Sequence, residues 1–156
     1  MTPEEIELVQ SSYSSLGDDA PAMAADFYRR LFTIDPSAEA LFSQGPTVMA
    51  EKFAAELAAI VEAIISFDVF SARVRDLAAR HRAYGVQTRH YRSVGEALVG
   101  AMAAHLAPDW TPAVERAWRR AYNLVAEIMM DTTVELEARS TAPPPRPGVP
   151  IGHVDD

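Results

Sequence analysis

Residues 67–86 read FDVFSARVRDLAARHRAYGV, with an apolar residue on nearly every helical turn. Apolar positions spaced three and four apart predict an amphipathic α-helix, which we expect to cover residues 69–84 after an aspartate cap. His81 lies four residues after Leu77, so it shares the apolar stripe and points into the core. Gly85 is expected to end this helix. The stretch therefore predicts a buried helix that presents an imidazole to the protein interior.

Apolar stripes of the same kind recur on both sides of this stretch, separated by breaks at glycine and proline. Few segments alternate apolar and polar residues as strands do, and only seven glycines occur. We therefore predict an all-α domain, a bundle of about seven helices. Besides residues 69–84, the predicted helices cover residues 3–16, 20–34, 37–42, 47–66, 90–106 and 111–138.

The composition changes after residue 139 to a proline-rich segment that contains the run PPPRPGVP. Such a segment cannot continue a helix and has few side chains to bury, so residues 140–156 are predicted to form a flexible, disordered tail. Residues 1–139 are then the folded domain. The tail is interpreted as a solvated appendage or, alternatively, as a segment that docks on a partner.

The net charge of −8 and the isoelectric point near 4.9 argue against nucleic acid as a partner, because phosphate binding needs clustered cations. The chain has no cysteine, which excludes thiolate metal sites and cysteine nucleophiles. No uncharged apolar run approaches the about 20 residues of a membrane span, and the acidic N-terminus does not read as a secretory signal. We therefore expect a cytoplasmic protein without a membrane span.

His81 is the strongest candidate ligand, because a neutral imidazole binds transition metals and haem iron well. Tyr28 on the predicted second helix and Tyr91 near the start of the sixth also fall near buried stripes. An inward imidazole facing an apolar helix and a buried tyrosine is one way for an all-α protein to hold a flat haem. From the residues alone the alternative stays open, in which His81 bonds a backbone carbonyl and Tyr28 is an ordinary core residue. His90, in a polar run, is expected to be exposed to solvent.

Several short segments share their order and spacing with a known family. They are DFYRRLF at 26–32, DP at 35–36, LF at 41–42, His81, YGV at 84–86, YRSVGEAL at 91–98, and the pair Trp118 and Tyr122. On these residues the sequence resembles the globin family over about residues 4–138, and in particular bacterial single-domain globins that are similar to the haem domain of flavohaemoglobins. The resemblance implies a globin-like bundle around a haem pocket, with haem b (iron protoporphyrin IX) as the cofactor.

The resemblance also implies roles for individual residues around the haem. His81 is the metal ligand on the proximal side. Tyr28 is the catalytic candidate on the distal side, where its hydroxyl donates a hydrogen bond to bound oxygen, and Met49 and Phe53 complete that pocket. Lys52 is implied to reach a haem propionate. The full set of positions implied to hold the cofactor is Phe42, Lys52, Phe53, Val86, Tyr91 and Val94.

Two positions depart from the family pattern that the resemblance implies. Met49 stands where a hydrogen-bond donor is common, so it is either an adaptable pocket filler or a second iron ligand through its sulfur. Thr133 stands where flavohaemoglobins place a glutamate that bonds the ligand histidine. Glu135 is two residues along, which on a helix turns it to a different face.

The resemblance implies a globin that binds O₂, NO or CO at the iron, with conversion of NO to nitrate as a further reaction. The chain of 156 residues leaves no room for a reductase domain, so the electrons for that reaction are expected from an external reductase. A second interpretation is a haem-vestigial globin fold that acts as a sensor or interaction module. Loss of the expected donor at Met49 and of the glutamate at Thr133 is compatible with it.

Overall fold

The structure is a computed structural model that describes residues 1–42, 44–83 and 86–141. Over these residues the chain is helical and contains no strand, which confirms the predicted all-α class. The α-helices are α1 (Pro3–Leu16), α2 (Ala20–Ile34), α3 (Pro46–Ala63), α4 (Phe67–Ala83), α5 (Thr88–Leu106) and α6 (Pro112–Thr141). Two short 3-10 helices cover Gly17–Asp19 and Pro36–Leu41.

The sequence predicted about seven helices, whereas the described residues form six α-helices. The segment expected as a helix over 37–42 is the 3-10 helix Pro36–Leu41. Asp35 caps it, since its Oδ1 accepts a hydrogen bond from the Ser37 amide at 3.2 Å. The turn is tight and short because it closes with an i to i+3 bond, from the Phe42 amide to the Glu39 carbonyl at 3.1 Å.

The ends of α1 follow from its sequence. The Thr2 hydroxyl accepts a hydrogen bond from the Glu5 amide at 3.1 Å, which satisfies one of the unpaired donors at the helix start. Pro3 occupies the first helical position, where its missing N–H costs nothing. Gly17 ends the helix with a φ of 49°, a backbone conformation that side chains disfavour.

The core lies where α2 crosses α3 and α5, because the apolar stripe of α2 faces both helices. Met23, Phe27 and Leu31 on that stripe are almost completely buried. Small residues let α2 and α3 approach closely, and Ala24, Ala50 and Ala54 form a separate buried cluster at this crossing. The remaining core side chains come mainly from α4, α5 and α6 and include Phe70, Val74, Met102 and Trp118.

Polar contacts attach helix α1 to helix α6. The indole N–H of Trp118 donates to the Ser12 hydroxyl at 2.8 Å. Arg120 forms an ion pair with Glu5 at 3.2 Å. Tyr13 extends this attachment to α3, because its hydroxyl donates to the Ala54 carbonyl at 2.8 Å. Helix α1 is therefore anchored on two sides.

The end of α6 differs from the predicted start of the tail. The helix continues through Thr141, so residues 140 and 141 are helical rather than part of a disordered tail. Arg82 holds this last turn against the end of α4 by donating to the Ser140 hydroxyl at 3.1 Å. The rest of the predicted tail, residues 142–156, and the predicted cap at Gly85 lie outside the described residues. Among the helices that are described, none combines the length and the apolar character required to cross a membrane.

Candidate functional site

His81 lies in the last turn of α4 and is half-buried. Its Nδ1 is 2.9 Å from the Leu77 carbonyl, one turn earlier on the same helix. A carbonyl only accepts hydrogen bonds, so Nδ1 carries the proton and Nε2 carries the lone pair. Burial lowers the pKa of His81 from its ordinary value, and the Leu77 carbonyl partly opposes that shift. The site therefore holds a neutral imidazole in one tautomer.

This hydrogen bond bears on both interpretations of His81 that the sequence left open. The contact with a backbone carbonyl is present, as the structural interpretation expected. The same contact is also what a metal-binding histidine normally makes through its second nitrogen, because it fixes the ring orientation and raises the basicity of the ligand. The bond is therefore compatible with a ligand role.

Four aromatic rings from three segments surround Tyr28. The Tyr28 ring lies 5.2 Å from that of Phe42 and 5.7 Å from that of Phe53, both in edge-to-face geometry. Phe53 in turn stacks on Phe27 with ring centroids 4.3 Å apart. Phe32 completes the group at 6.0 Å from Tyr28. This aromatic cluster brings together three of the predicted distal and cofactor-binding residues.

The Tyr28 hydroxyl is held in an apolar environment. Burial among the aromatic rings raises the pKa of Tyr28 to about 12, because the low-polarity surroundings disfavour the phenolate. Within the described residues this hydroxyl makes no hydrogen bond to protein. The group is consequently a neutral donor at physiological pH, and a bound ligand can supply the missing acceptor.

Met49 and Lys52 lie on α3, close to Phe53 along the helix. Met49 is buried, with 8% of its surface exposed, and its position one turn before Phe53 puts both on the same face. Lys52 is exposed, and its ammonium donates to the Gln44 side chain at 2.9 Å. Iron ligation by Met49 and propionate binding by Lys52 both stay predictions.

Tyr91 lies in the first turns of α5 and makes two contacts with α6. Burial raises the pKa of its hydroxyl, and the nearby Thr133 side chain partly opposes that rise. Its backbone carbonyl accepts a hydrogen bond from the Tyr122 hydroxyl. Thr133 also donates to the Met129 carbonyl at 2.9 Å. The Tyr122 hydroxyl therefore holds the Tyr91 backbone, and the role of Tyr91 beside a haem stays a prediction.

Glu135 does not take the place of the missing glutamate. Its carboxylate forms an ion pair with Arg75 at 2.7 Å, and half of its side chain is exposed. Thr133, in contrast, lies near the Tyr91 side chain and is partly buried. The absence of a proximal carboxylate stays a prediction.

Val86 lies in the segment between α4 and α5, and Val94 lies within α5. The Val86 amide donates to the His81 carbonyl at 3.3 Å. Val94 packs against the core from α5 and remains partly exposed. Tyr84, one of the residues that carried the resemblance, lies outside the described residues.

His90 was predicted to be exposed, and this prediction was wrong. Only 4% of its surface is accessible. Its Nδ1 accepts a hydrogen bond from the Gln87 amide at 2.8 Å and so caps α5, while its Nε2 lies 3.9 Å from Asp35. The polar neighbours in the sequence concealed this role, but the three-residue spacing from Gln87 is the capping-box spacing and could have revealed it.

The globin family model matches residues 25–129, which is two thirds of the sequence. The chain belongs to the globin family. The match includes Tyr28, Phe42 and His81, and it ends before Thr133.

Individual relatives differ in length and in name. A flavohemoprotein of Vibrio cholerae is 29% identical over 84% of this globin, and the globin spans only 34% of that relative. An anaerobic nitrite reductase of Oryza sativa subsp. indica is 32% identical over 80% of the globin and 90% of that protein. This globin thus spans about a third of the length of the flavohemoprotein relatives.

A solved structure also matches the fold. It is an engineered carbene transferase built on a nitric oxide dioxygenase candidate from Rhodothermus marinus, with a TM-score of 0.82 and 29% identity. The alignment covers 91% of this globin and 99% of that chain. The expected resemblance to bacterial globins is confirmed.

Proposed function

We propose that this globin binds haem b with His81 as the proximal iron ligand, and that O₂, NO or CO binds on the opposite side, beside Tyr28. The observation that carries the proposal is the 2.9 Å contact between His81 Nδ1 and the Leu77 carbonyl. It orients the imidazole and assigns the lone pair to the nitrogen that would meet the iron. When bound, haem supplies the iron at which a diatomic gas coordinates.

The residues implied to hold the cofactor fit a flat apolar ring. Phe42, Phe53, Tyr91 and Val94 all adjoin the main core, yet each remains only partly buried. An apolar macrocycle placed against them would remove that surface from water, at about 25 cal/mol per Å² of apolar area. The same side chains would exclude water from the ligand side. Lys52 at the edge would provide a cation for a propionate.

Tyr28 would act on the bound gas through its hydroxyl. The aromatic cluster fixes the ring, and the raised pKa keeps the proton on the oxygen. Met49 has no donor to add, so stabilisation of bound oxygen would rest on this one hydrogen bond. A hydrogen bond of this kind contributes about 1–2 kcal/mol.

We further propose that the globin converts NO and O₂ to nitrate, with one electron per turnover from an external donor. The name of the Rhodothermus marinus relative supports this reaction, while the rice relative is named for nitrite reduction. Electrode measurements of NO consumption in the presence of O₂ and a reductant distinguish the two. NO loss that requires O₂ supports dioxygenation. Nitrite loss in anaerobic buffer, without O₂-dependent NO loss, contradicts it.

The absorption spectrum of the protein purified after haem supplementation tests His81. We expect a Soret band that shifts or is lost in His81→Ala and returns toward the parent spectrum on addition of imidazole. The matched control is His105→Ala, because His105 is also partly buried but lies on α5 beside Asp26. A parent protein without a Soret band, or a His81→Ala spectrum identical to that of the parent, would contradict the proposal.

A further inference from the structure

The segment around His81 carries a charge opposite to that of the whole protein. Residues 77–95 contain four arginines and no acidic residue, whereas all 22 acidic residues lie elsewhere in the chain. The chain as a whole has a net charge of −8. This segment links the end of α4 to the start of α5, so its positive charge is concentrated at one corner of the fold.

Three of the four arginines form no ion pair with a carboxylate of the described residues, although Arg89 lies within electrostatic range of the Asp35 carboxylate. Arg80 is the exception, because it forms ion pairs with Glu56 and Asp76, both at 3.3 Å. Arg82 donates to the Ser140 hydroxyl at 3.1 Å, and Arg89 donates to the Gln87 side chain at 3.3 Å. Arg92 is exposed and forms no ion pair within the described ranges.

These arginines gather around the corner that follows the proposed iron ligand. Arg82 is adjacent to His81 in sequence and touches the last turn of α6, where Arg139 precedes Ser140. Arg89 and Arg92 are three residues apart in the first turns of α5, so they share one helix face. We call Arg82, Arg89, Arg92 and Arg139 the arginine surface. All four side chains are exposed.

Elsewhere on the described surface most arginines have acidic partners. Arg29 and Arg30 both pair with Asp26, and Arg119 pairs with Glu96 and Glu115. Paired cations contribute little to long-range attraction, whereas uncompensated ones create a potential that steers an oppositely charged partner. The arginine surface is therefore distinguished by arginines that form no ion pair among the described residues, with Glu96 beside Arg92 at one edge.

We propose that the arginine surface docks an acidic electron-donor protein, one that carries a flavin or an iron–sulfur cluster. The inference rests on the proposed function, because an iron ligated by His81 needs an electron after each turnover. Charge complementarity selects the partner, since a negative protein surface would be attracted here and repelled by the rest of this acidic globin. The docked donor would lie at the corner immediately beside His81.

An anionic membrane surface is the other extended partner that arginines attract. The net charge of −8 disfavours it, because a broad lipid surface also meets the acidic faces, whereas a protein can match one corner. The two partners are separated by experiment. Sedimentation with phosphatidylserine vesicles reports membrane binding directly, without reference to electron transfer.

The test uses ferric, haem-loaded protein mixed in a stopped-flow instrument with a reduced acidic flavodoxin as the probe donor. We expect the second-order rate constant to fall about five-fold or more in Arg82→Glu and in Arg89→Glu at low salt. The differences should shrink at high ionic strength, where charges are screened. Arg116→Glu is the matched control, because Arg116 is exposed, has no ion pair within the described residues and lies roughly 35 Å from Arg139 along α6. Its rate should stay within about two-fold of the parent.

Dithionite, a small reductant, serves as the internal reference for all variants. Unchanged dithionite reduction shows that folding and haem binding are intact. With that reference unchanged, equal flavodoxin rates in Arg82→Glu, Arg89→Glu and Arg116→Glu overturn the docking surface and leave the proposed function standing. If sedimentation with the vesicles depends on these arginines and flavodoxin reduction does not, the proposal of a protein-docking surface is wrong and a membrane is the partner. Failure of the parent to bind haem overturns the proposed function itself.

Discussion

The orientation of each polar group proposed to face the iron has a different origin. His81 is oriented by a carbonyl of its own helix, so its geometry depends on the regularity of α4. Tyr28 is oriented by rings from α2, α3 and the residue after the 3-10 helix. The imidazole position is thus a local property, whereas the hydroxyl position depends on how three segments pack. Changes in distal packing should alter ligand kinetics while the proximal ligand is retained.

Removal of the Tyr28 hydroxyl tests its proposed role directly. In Tyr28→Phe we expect O₂ to dissociate about ten-fold faster, because a hydrogen bond contributing about 1–2 kcal/mol is lost. Stopped-flow displacement of O₂ by CO measures the rate. Tyr13→Phe is the control, since the Tyr13 hydroxyl donates to the Ala54 carbonyl on the α1 side. Equal off-rates in the parent and Tyr28→Phe would mean that the hydroxyl does not reach the ligand.

The raised pKa of Tyr28 predicts a loss of stability at alkaline pH. The folded state favours the neutral phenol, so this contribution is fully present below the unfolded value of 10 and is lost as pH rises through about 12. A shift of this size corresponds to about 2–3 kcal/mol. Urea unfolding followed by circular dichroism between pH 9 and about 12 measures it.

The control for the alkaline prediction is Tyr28→Phe, which cannot ionise at this position. Its unfolding midpoint should fall less steeply with pH than that of the parent. Some dependence will remain, because burial also raises the pKa of Tyr122, and its neighbour Tyr91 adds to the rise. Identical slopes for the parent and Tyr28→Phe would show that Tyr28 is solvated.

Helix α5 depends on an unusual cap. His90 accepts the Gln87 amide proton through Nδ1, and it is buried between the start of α5 and Asp35. In His90→Ala we expect a destabilisation of about 1–2 kcal/mol, from loss of the cap and of a buried side chain. Urea denaturation gives the value. His105→Ala should cost less than about 1 kcal/mol, because its contact with Asp26 is a partly exposed ion pair.

The contact between α5 and α6 has no room for a side chain at Gly95. A Cβ atom there would lie 2.6 Å from the Tyr122 ring, so Gly95→Ala must displace that ring and its bond to the Tyr91 carbonyl. We expect a cost of about 1–3 kcal/mol in thermal or urea unfolding. Gly100→Ala is the matched control on the same helix, where the nearest atom belongs to the flexible end of Arg30. Equal stability of the two variants would contradict the close approach.

Helix positions followed from the sequence more readily than the details at helix ends. Apolar spacing gave all six described α-helices to within a few residues, because one face of each must be buried. The segment after Asp35 was predicted as a helix although it is a 3-10 turn, since three to six residues carry too little periodicity to separate the two. The burial of His90 was missed because Asp35 meets it only in the folded chain, whereas its bond to the Gln87 amide is local.

For the whole molecule, the sequence predicted the fold class and the family, and the family match confirmed both. The site was predicted only through resemblance, since a histidine on an apolar stripe is compatible with a simple core role. The structure adds the tautomer of His81, the aromatic cluster around Tyr28 and the placement of Glu135 on an exposed face. These depend on distances between helices, which periodicity along one helix does not contain.

The attachment of α1 to α6 has a consequence for synthesis of the protein. Ser12 is separated from Trp118 by 106 positions, and Glu5 from Arg120 by 115. Because protein synthesis proceeds at about 5–20 residues per second, these partners are made roughly 5–20 s after α1. During that interval the apolar face containing Val9 and Leu16 has no partner on α6. We therefore expect the nascent chain to complete this part of its core only after α6 has been synthesised.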